Sequence, residues 1–292
     1  MKENRNTASC TLCPRACGVD REKSLGFCRC TNTVHIARAA LHKWEEPCIS
    51  GTRGSGTVFF GGCTLRCVFC QNYEISRRQA GREVSEEQLA DIFRSLCRDG
   101  AHNINLVTPT QYVPSIIRAL DAAKPNVPVV YNSGGYESVQ TVESLKGKIN
   151  VYLPDVKFFS PDISGRYAGA PDYFERTIAA LHVMTEQVGS PVFDGDGMLV
   201  RGVMVRHLVL PGTRQDSIDV IRSLAREFSP DEILISLMSQ YTPVPGMSYP
   251  LSRRITTFEY ESVADEVRRA GFRGYMQERS SAQKSYIPPF DT

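Results

Sequence analysis

Residues 57–72 read Thr-Val-Phe-Phe-Gly-Gly-Cys-Thr-Leu-Arg-Cys-Val-Phe-Cys-Gln-Asn. The first five, Thr57–Gly61, form a short apolar run that predicts a strand. A Gly-Gly pair follows, then a CxxxCxxC loop on Cys63, Cys67 and Cys70, with no fourth cysteine close behind. Three thiolates on one short loop can hold three irons of a cubane cluster and leave the fourth iron open. An open coordination position separates a reactive centre from a structural one. A structural zinc site and buried free thiols are the alternatives. Zinc takes paired CxxC or HxxxH units, which this loop lacks. Free buried thiols need neither a Gly-Gly approach nor the aromatic Phe69 before the last cysteine.

Outward from that loop, short apolar runs alternate with amphipathic stretches of helical length. Strands are expected at 57–61, 104–108, 127–131, 150–153, 202–209 and 232–237. Helices are expected at about 112–123, 136–146, 171–188, 214–228 and 257–270. Another begins at Ser85, where Ser-Glu-Glu-Gln is a capping-box signature and Leu89, Ile92, Phe93 and Leu96 form an apolar face. Six βα units predict an α/β fold, a partial (β/α)6 TIM-like barrel over 57–292 with a C-terminal extension. The barrel would place the cysteine loop at a strand's C-terminal end, where barrel active sites sit. Residues 1–56 show little periodicity and read as an irregular, cysteine-rich N-terminal extension. Residues 189–197 read as a surface excursion, and 286–292 as a tail without regular structure.

The chain has 292 residues, 41% apolar and 23% charged, with 34 basic against 32 acidic side chains. That balance gives no electrostatic case for nucleic acid or an anionic membrane as main partner. No apolar run is long enough to span a bilayer, and the polar first 20 residues with three cysteines do not fit a signal peptide. The expected location is the cytoplasm. Nine of ten cysteines lie within the first 70 residues. In a large cytosolic chain that density points to metal or cluster ligation rather than disulfides. Cys10, Cys13, Cys17 and Cys28 form CxxC-xxx-C with a fourth thiol eleven residues on, a candidate site for zinc or a second iron–sulfur cluster.

The loop at 63–70, with Phe69, resembles the signature of the radical S-adenosylmethionine superfamily. More closely, the chain resembles the pyruvate formate-lyase-activating-enzyme-like group. The segments that carry this are CTLCPRACGVDR at 10–21, GCTLRCVFCQNYEIS at 62–76, VTPTQY at 107–112, YNSGGYES at 131–138, YLPDVKFF at 152–159, RHLVLPG at 206–212 and LMSQYTP at 237–243. The resemblance implies a [4Fe–4S] cluster that binds S-adenosylmethionine through its open iron. It also implies an electron donor such as flavodoxin or ferredoxin. Homolysis of the sulfonium bond would give a 5′-deoxyadenosyl radical that takes hydrogen from a protein glycine, a peptide or a small metabolite. Which of these is the substrate is not legible. The N-terminal cysteines do not match the eight-cysteine insert of many activating enzymes.

Cofactor contacts are expected at strand ends. Thr108 and Thr110 stand where the superfamily often carries Gly-Gly-Glu, so an acidic contact is missing there. Resemblance places Asn132 near the cofactor. Asp155 and Lys157 project to the same side of a strand because side chains alternate with period two. They match an Asp-x-Lys of the activating enzymes, and could hold the ribose and the methionine carboxylate or pair with each other at the rim. Arg206 suits a carboxylate, and Gln240 is a polar contact after the sixth strand. A metal-braced interaction module without catalysis is the alternative class; three ligands with an open position favour the enzyme.

Overall fold

The computed structural model describes residues 9–78 and 80–277. Ten strands make one sheet: β1 (Val34–His42), β2 (Ser55–Phe60), β3 (Arg82–Val84), β4 (Ile104–Val107), β5 (Val129–Ser133), β6 (Val151–Pro154), β7 (Val192–Phe193), β8 (Leu199–Leu208), β9 (Ile233–Met238) and β10 (Gly274–Met276). The order is β10-β9-β8-β6-β5-β4-β2-β1-β3, with β7 paired to β8 off that path. From β2 to β10 every neighbour along the path is parallel. The sheet does not close, so the fold is the expected partial barrel, with seven parallel strands rather than six.

The helices are α1 (Pro47–Ser50), α2 (Tyr73–Ser76), α3 (Glu86–Arg98), α4 (Val113–Ala123), α5 (Val139–Ser144), α6 (Pro161–Ala168), α7 (Tyr173–Val188), α8 (Arg214–Glu227) and α9 (Thr257–Arg269). The capping box at Ser85 forms as read, with Gln88 N–H on the Ser85 side chain and the Gln88 side chain returning to the Ser85 amide. None of these helices is long and apolar enough to cross a membrane.

Period two divides the strands between two layers. Val58, Phe60, Leu106, Tyr131, Tyr152 and Val205 face the helices and build the main core. Their neighbours Val130, Leu153, Met204 and Leu234 turn to the other face, where Cys48 and Ile49 of α1 pack on them. Farther along the strands, that second face turns polar.

Residues 1–56 are not irregular throughout, a correction to the sequence reading. β1 pairs antiparallel with β2 and with β3. Its exposure does not alternate along Val34–His42, which is why period-two reading passed over it. Residues 189–197 do lie at the surface but contain β7. The 286–292 tail lies outside the described residues.

Candidate active site

β2 delivers the chain to Gly61 and Gly62, and packing explains both glycines. A Cβ on Gly61 would stand 2.4 Å from the Ala80 carbonyl oxygen, and one on Gly62 would stand 2.1 Å from Cys30 Sγ. Gly62 also turns at φ +79°, where glycine alone is unstrained. The loop is then tied down at several points. Cys63 N–H donates to Cys28 O at 3.3 Å, Val68 N–H to Tyr167 O at 2.9 Å, and Leu65 N–H to Cys63 Sγ at 3.4 Å. Phe69 is buried in the main core, edge-on to Phe158 and Tyr167 at 5.9 and 6.2 Å. That anchor sets the positions of Cys67 and Cys70 on either side of it.

The three thiols feel one another. Burial pushes Cys63 up, aided by Cys70. Burial pushes Cys67 up to about 12, with the Lys157 ammonium pulling the other way. Buried thiols near one cation are costly to ionise alone, and a bound iron cluster supplies the missing positive charge, since ligation requires thiolates. Among the described residues, no three His, Cys, Asp or Glu side chains close on a single-ion position. In a cube each thiolate binds a different iron, so the loop fits a cluster better than one zinc ion.

On the concave face beside this loop, Asp155, Lys157, Arg206 and Asn132 come together. Arg206 Nε donates to Asp155 Oδ1 at 3.0 Å, its Nη2 donates to Asn132 Oδ1, and Lys157 Nζ donates to Asp155 Oδ2. Glu45 closes the network: it accepts from Arg206 Nη1 at 3.3 Å, Asn105 Nδ2 at 3.2 Å and Asn132 Nδ2 at 3.4 Å. Burial works against every charge here. At Asp155 the two cations outweigh it and hold the carboxyl below its usual range. At Glu45 burial wins over Arg206 and the carboxyl is raised. Cys67 and Asp155 both bear on Lys157, so the strip of alternating charge runs from Glu45 to the thiols.

The remaining residues fall at different places. Thr108 takes a left-handed backbone at φ 57°, and its N–H donates to Asn132 O at 2.8 Å. Gln240 lies at the rim, where Gln71, the residue after Cys70, donates to its carbonyl at 3.0 Å. Thr110 points away from the strip: its hydroxyl donates to Glu137 Oε1 at 2.7 Å, and Tyr131 of the main core donates to Oε2 at 3.1 Å. Burial raises that carboxyl to about 7. Sequence reasoning missed Glu45, Asn105 and Gln71. Only Gln71 had a signal, its place beside Cys70.

Cys10, Cys13, Cys17 and Cys28 line one cavity with Arg21 and Gln111. The sulfurs of Cys28 and Cys17 lie 3.3 and 3.7 Å from the point where a Gly26 Cβ would stand. Cys30 lies beside Cys28: its thiol donates to Cys28 O at 3.4 Å and to Gly61 O at 3.3 Å, and its hydrogen bond pulls the Cys28 thiol down. Non-glycine residues with left-handed backbone gather around these segments: Ala16, Arg29, Arg66 and Thr108, with Lys124 elsewhere.

The family model for the radical SAM superfamily matches residues 57–222. An uncharacterized protein of Methanocaldococcus jannaschii is 30% identical over 268 residues, 88% of this chain and 73% of that one. Among solved structures, Streptococcus suis SuiB bound to S-adenosylmethionine is 15% identical with a TM-score of 0.49, covering 74% of this chain and 48% of the other. This chain thus spans about half the length of SuiB. Methylornithine synthase (PylB) is 14% identical with a TM-score of 0.48, covering 73% and 68%. With the cysteine loop inside the matched span, the chain belongs to the radical SAM superfamily, whose members carry a [4Fe–4S] cluster and use S-adenosylmethionine.

Proposed function

We propose that this chain is a radical SAM oxidoreductase of the pyruvate formate-lyase-activating-enzyme-like kind, acting on a protein glycine, a peptide or a small metabolite. Cys63, Cys67 and Cys70 hold the cluster. When bound, cluster and S-adenosylmethionine supply one-electron cleavage of the sulfonium bond and a 5′-deoxyadenosyl radical that removes hydrogen from the substrate. The observation that carries the reading is the charged strip that meets the thiols through Lys157. S-adenosylmethionine is zwitterionic at one end and polar at the ribose, and the strip offers both signs. Lys157 and Arg206 take the methionine carboxylate, and Asp155 accepts from the ribose hydroxyls. Asn132 and Glu45 hold Arg206 in place, Thr108 turns the chain beside Asn132, and Gln240 closes the rim. Thr110 is engaged with Glu137 and supports the wall behind.

Cys10, Cys13, Cys17 and Cys28 form, in this reading, a second thiolate centre for zinc or iron–sulfur, and iron–sulfur suits them better, since among the described residues these four also do not close on a single-ion position. Their shared cavity supports it. The test of the whole reading is anaerobic reconstitution with iron and sulfide, followed by electron paramagnetic resonance with and without S-adenosylmethionine. A reduced-cluster signal that changes on adding S-adenosylmethionine, with release of 5′-deoxyadenosine, is expected. A reconstituted protein whose signal ignores S-adenosylmethionine and that releases no product defeats the reading.

A further inference from the structure

On the concave face the charged strip borders groups that the proposed function does not use. Glu46 follows Glu45 in the turn before α1, and its charge is felt at Arg206, Cys48 and Tyr275. Leu234 packs in the concave-face core, so Ser236, two residues on along β9, points the same way. Ser236 stands in register between Arg206 of β8 and Tyr275 of β10. Asn105 reaches this face from β4 and donates through Nδ2 to Glu45 Oε1 at 3.2 Å. A carboxylate only accepts, so that bond fixes the amide and turns Asn105 Oδ1 away from Glu45. Asn105 Oδ1, Glu46 Oε2 and Ser236 Oγ are all buried without a hydrogen-bond partner, in residues 0%, 9% and 1% exposed. Buried polar atoms are nearly always paired, and three orphans beside one ion-pair network call for a common cause. Two of them can only accept, and the third, a hydroxyl, can accept as well. The charges lean the same way. Three carboxyls, Glu45, Glu46 and Asp155, face the two cations Arg206 and Lys157, whose hydrogen bonds go to Asp155, Asn132 and Glu45 and none to Glu46. Among the described residues β10 ends the sheet, and Tyr275 on it is only partly buried, which gives this corner an edge toward solvent.

We propose that Glu46, Asn105 and Ser236 form a subsite for a cationic nitrogen group of the substrate, an ammonium or a guanidinium. Such a group brings several N–H donors and one positive charge, which are what the three acceptors and the surplus carboxyl lack. The proposed function commits Asp155 and Arg206 to S-adenosylmethionine and leaves Glu46 over. The inference rests on that function only in calling the bound molecule a substrate. The subsite does no chemistry of its own: it fixes the charged end of the substrate beside the strip, as charge-assisted hydrogen bonds fix orientation. A buried set of acceptors rejects a molecule that cannot supply the donors. The subsite therefore selects a basic peptide side chain or a small amine over an uncharged metabolite.

The test uses the reconstituted protein and three probes: methylammonium, methylguanidinium, and agmatine, which carries both groups. Acetamide is the uncharged control, and sodium chloride matches the ionic strength. Binding is read from the fluorescence of Trp44, the chain's single tryptophan, which adjoins Glu45. Saturable binding of at least one cation is expected, with acetamide inert, and methylammonium against methylguanidinium tells which group fits. Glu46→Gln should bind that cation roughly tenfold or more weakly, and Ser236→Ala roughly threefold to tenfold more weakly. Glu46→Gln should also melt no lower than wild type, because it removes a carboxylate oxygen that has no donor. Equal affinity in both variants overturns the proposal, as does acetamide binding as tight as that of the cations. No saturable response to any of the three cations overturns it too. S-adenosylmethionine affinity is measured in the same variants. A loss in Glu46→Gln that matches the loss for the cation assigns Glu46 to the cofactor's own ammonium and overturns the substrate subsite. Absent S-adenosylmethionine cleavage in wild type defeats the functional reading instead, and the cation affinities still decide the subsite.

Discussion

The two thiol groups of this chain are built in opposite ways. Cys63, Cys67 and Cys70 sit at the end of a central strand, and Phe69 between them is locked into the main core. The fold positions those thiols before any metal arrives. Cys10, Cys13, Cys17 and Cys28 lie on a stretch without helix or strand, held by side-chain clamps. Arg15 Nε donates to Thr64 O at 3.0 Å and Arg21 Nη1 to Gln111 O at 2.6 Å. A centre placed by the core should lose its metal without losing the fold. A centre placed by a few clamps should depend on the metal for its own order.

The sharpest break is Cys67→Ala. It should abolish the oxygen-sensitive cluster signal and all S-adenosylmethionine cleavage, while metal on the N-terminal thiols persists and melting hardly moves. Cleavage at the wild-type rate in that protein would refute the ligand assignment. Next comes the Cys10→Ser/Cys13→Ser pair. It should lose the N-terminal metal, measured by elemental analysis, and expose residues 9–33 to protease while the loop cluster is retained. Unchanged metal content and protease resistance would show that the four thiols are not a centre.

Lys157→Met probes the strip where it meets the loop. Asp155 keeps Arg206 as partner, so the variant removes one charge-assisted bond without orphaning a carboxylate. A loss of about 1.5–3 kcal/mol, roughly tenfold to hundredfold in S-adenosylmethionine affinity, is expected with the cluster intact. Unchanged affinity alongside a lower melting temperature would identify Lys157 as a rim brace only. The smallest effect belongs to a site remote from both thiol groups. Arg253 holds the Glu259 carboxyl down at about 2, against an ordinary 4.5, and Glu259 also caps α9. A depressed carboxyl contributes stability above its unfolded pKa and loses it as pH falls through the folded value. Glu259→Gln should therefore melt about 2–4 °C below wild type at neutral pH, with the gap closing between pH 4.5 and 2. A gap independent of pH would assign the loss to the cap rather than the ion pair.

Legibility in the sequence followed distance along the chain. The Cys63–Cys70 loop spans eight residues and carries its own signature, and the Ser85 cap spans four; both were readable. The six expected strands form within three residues of their read bounds. Asp155 and Lys157 pair with each other, but β6 ends at Pro154 and only the bridge residue Asp155 extends it, so the strand alternation read for the pair does not reach Lys157, which lies in the loop beyond. Glu45 was not readable, because its contact with Arg206 closes over 161 residues and nothing local marks it. β10 was missed because three residues, Gly274–Met276, are too few for a pattern. Thr110 looked like a cofactor contact because sequence cannot say which way a residue after a strand turns.

The left-handed residues beside the thiols bear on what evolution could vary there. Arg29 and Arg66 stand at φ 63° and 55°, conformations that glycine adopts without strain. Replacing either by glycine would relieve about 1–2 kcal/mol of backbone strain and give back about 0.5–1 kcal/mol through added freedom of the unfolded chain. On backbone terms alone the balance favours glycine by up to about 1.5 kcal/mol at each position. What Arg66 keeps by remaining an arginine is its tie to Phe27, whose ring lies 5.2 Å away and whose carbonyl accepts a hydrogen bond from it, and a glycine there would give that tie up.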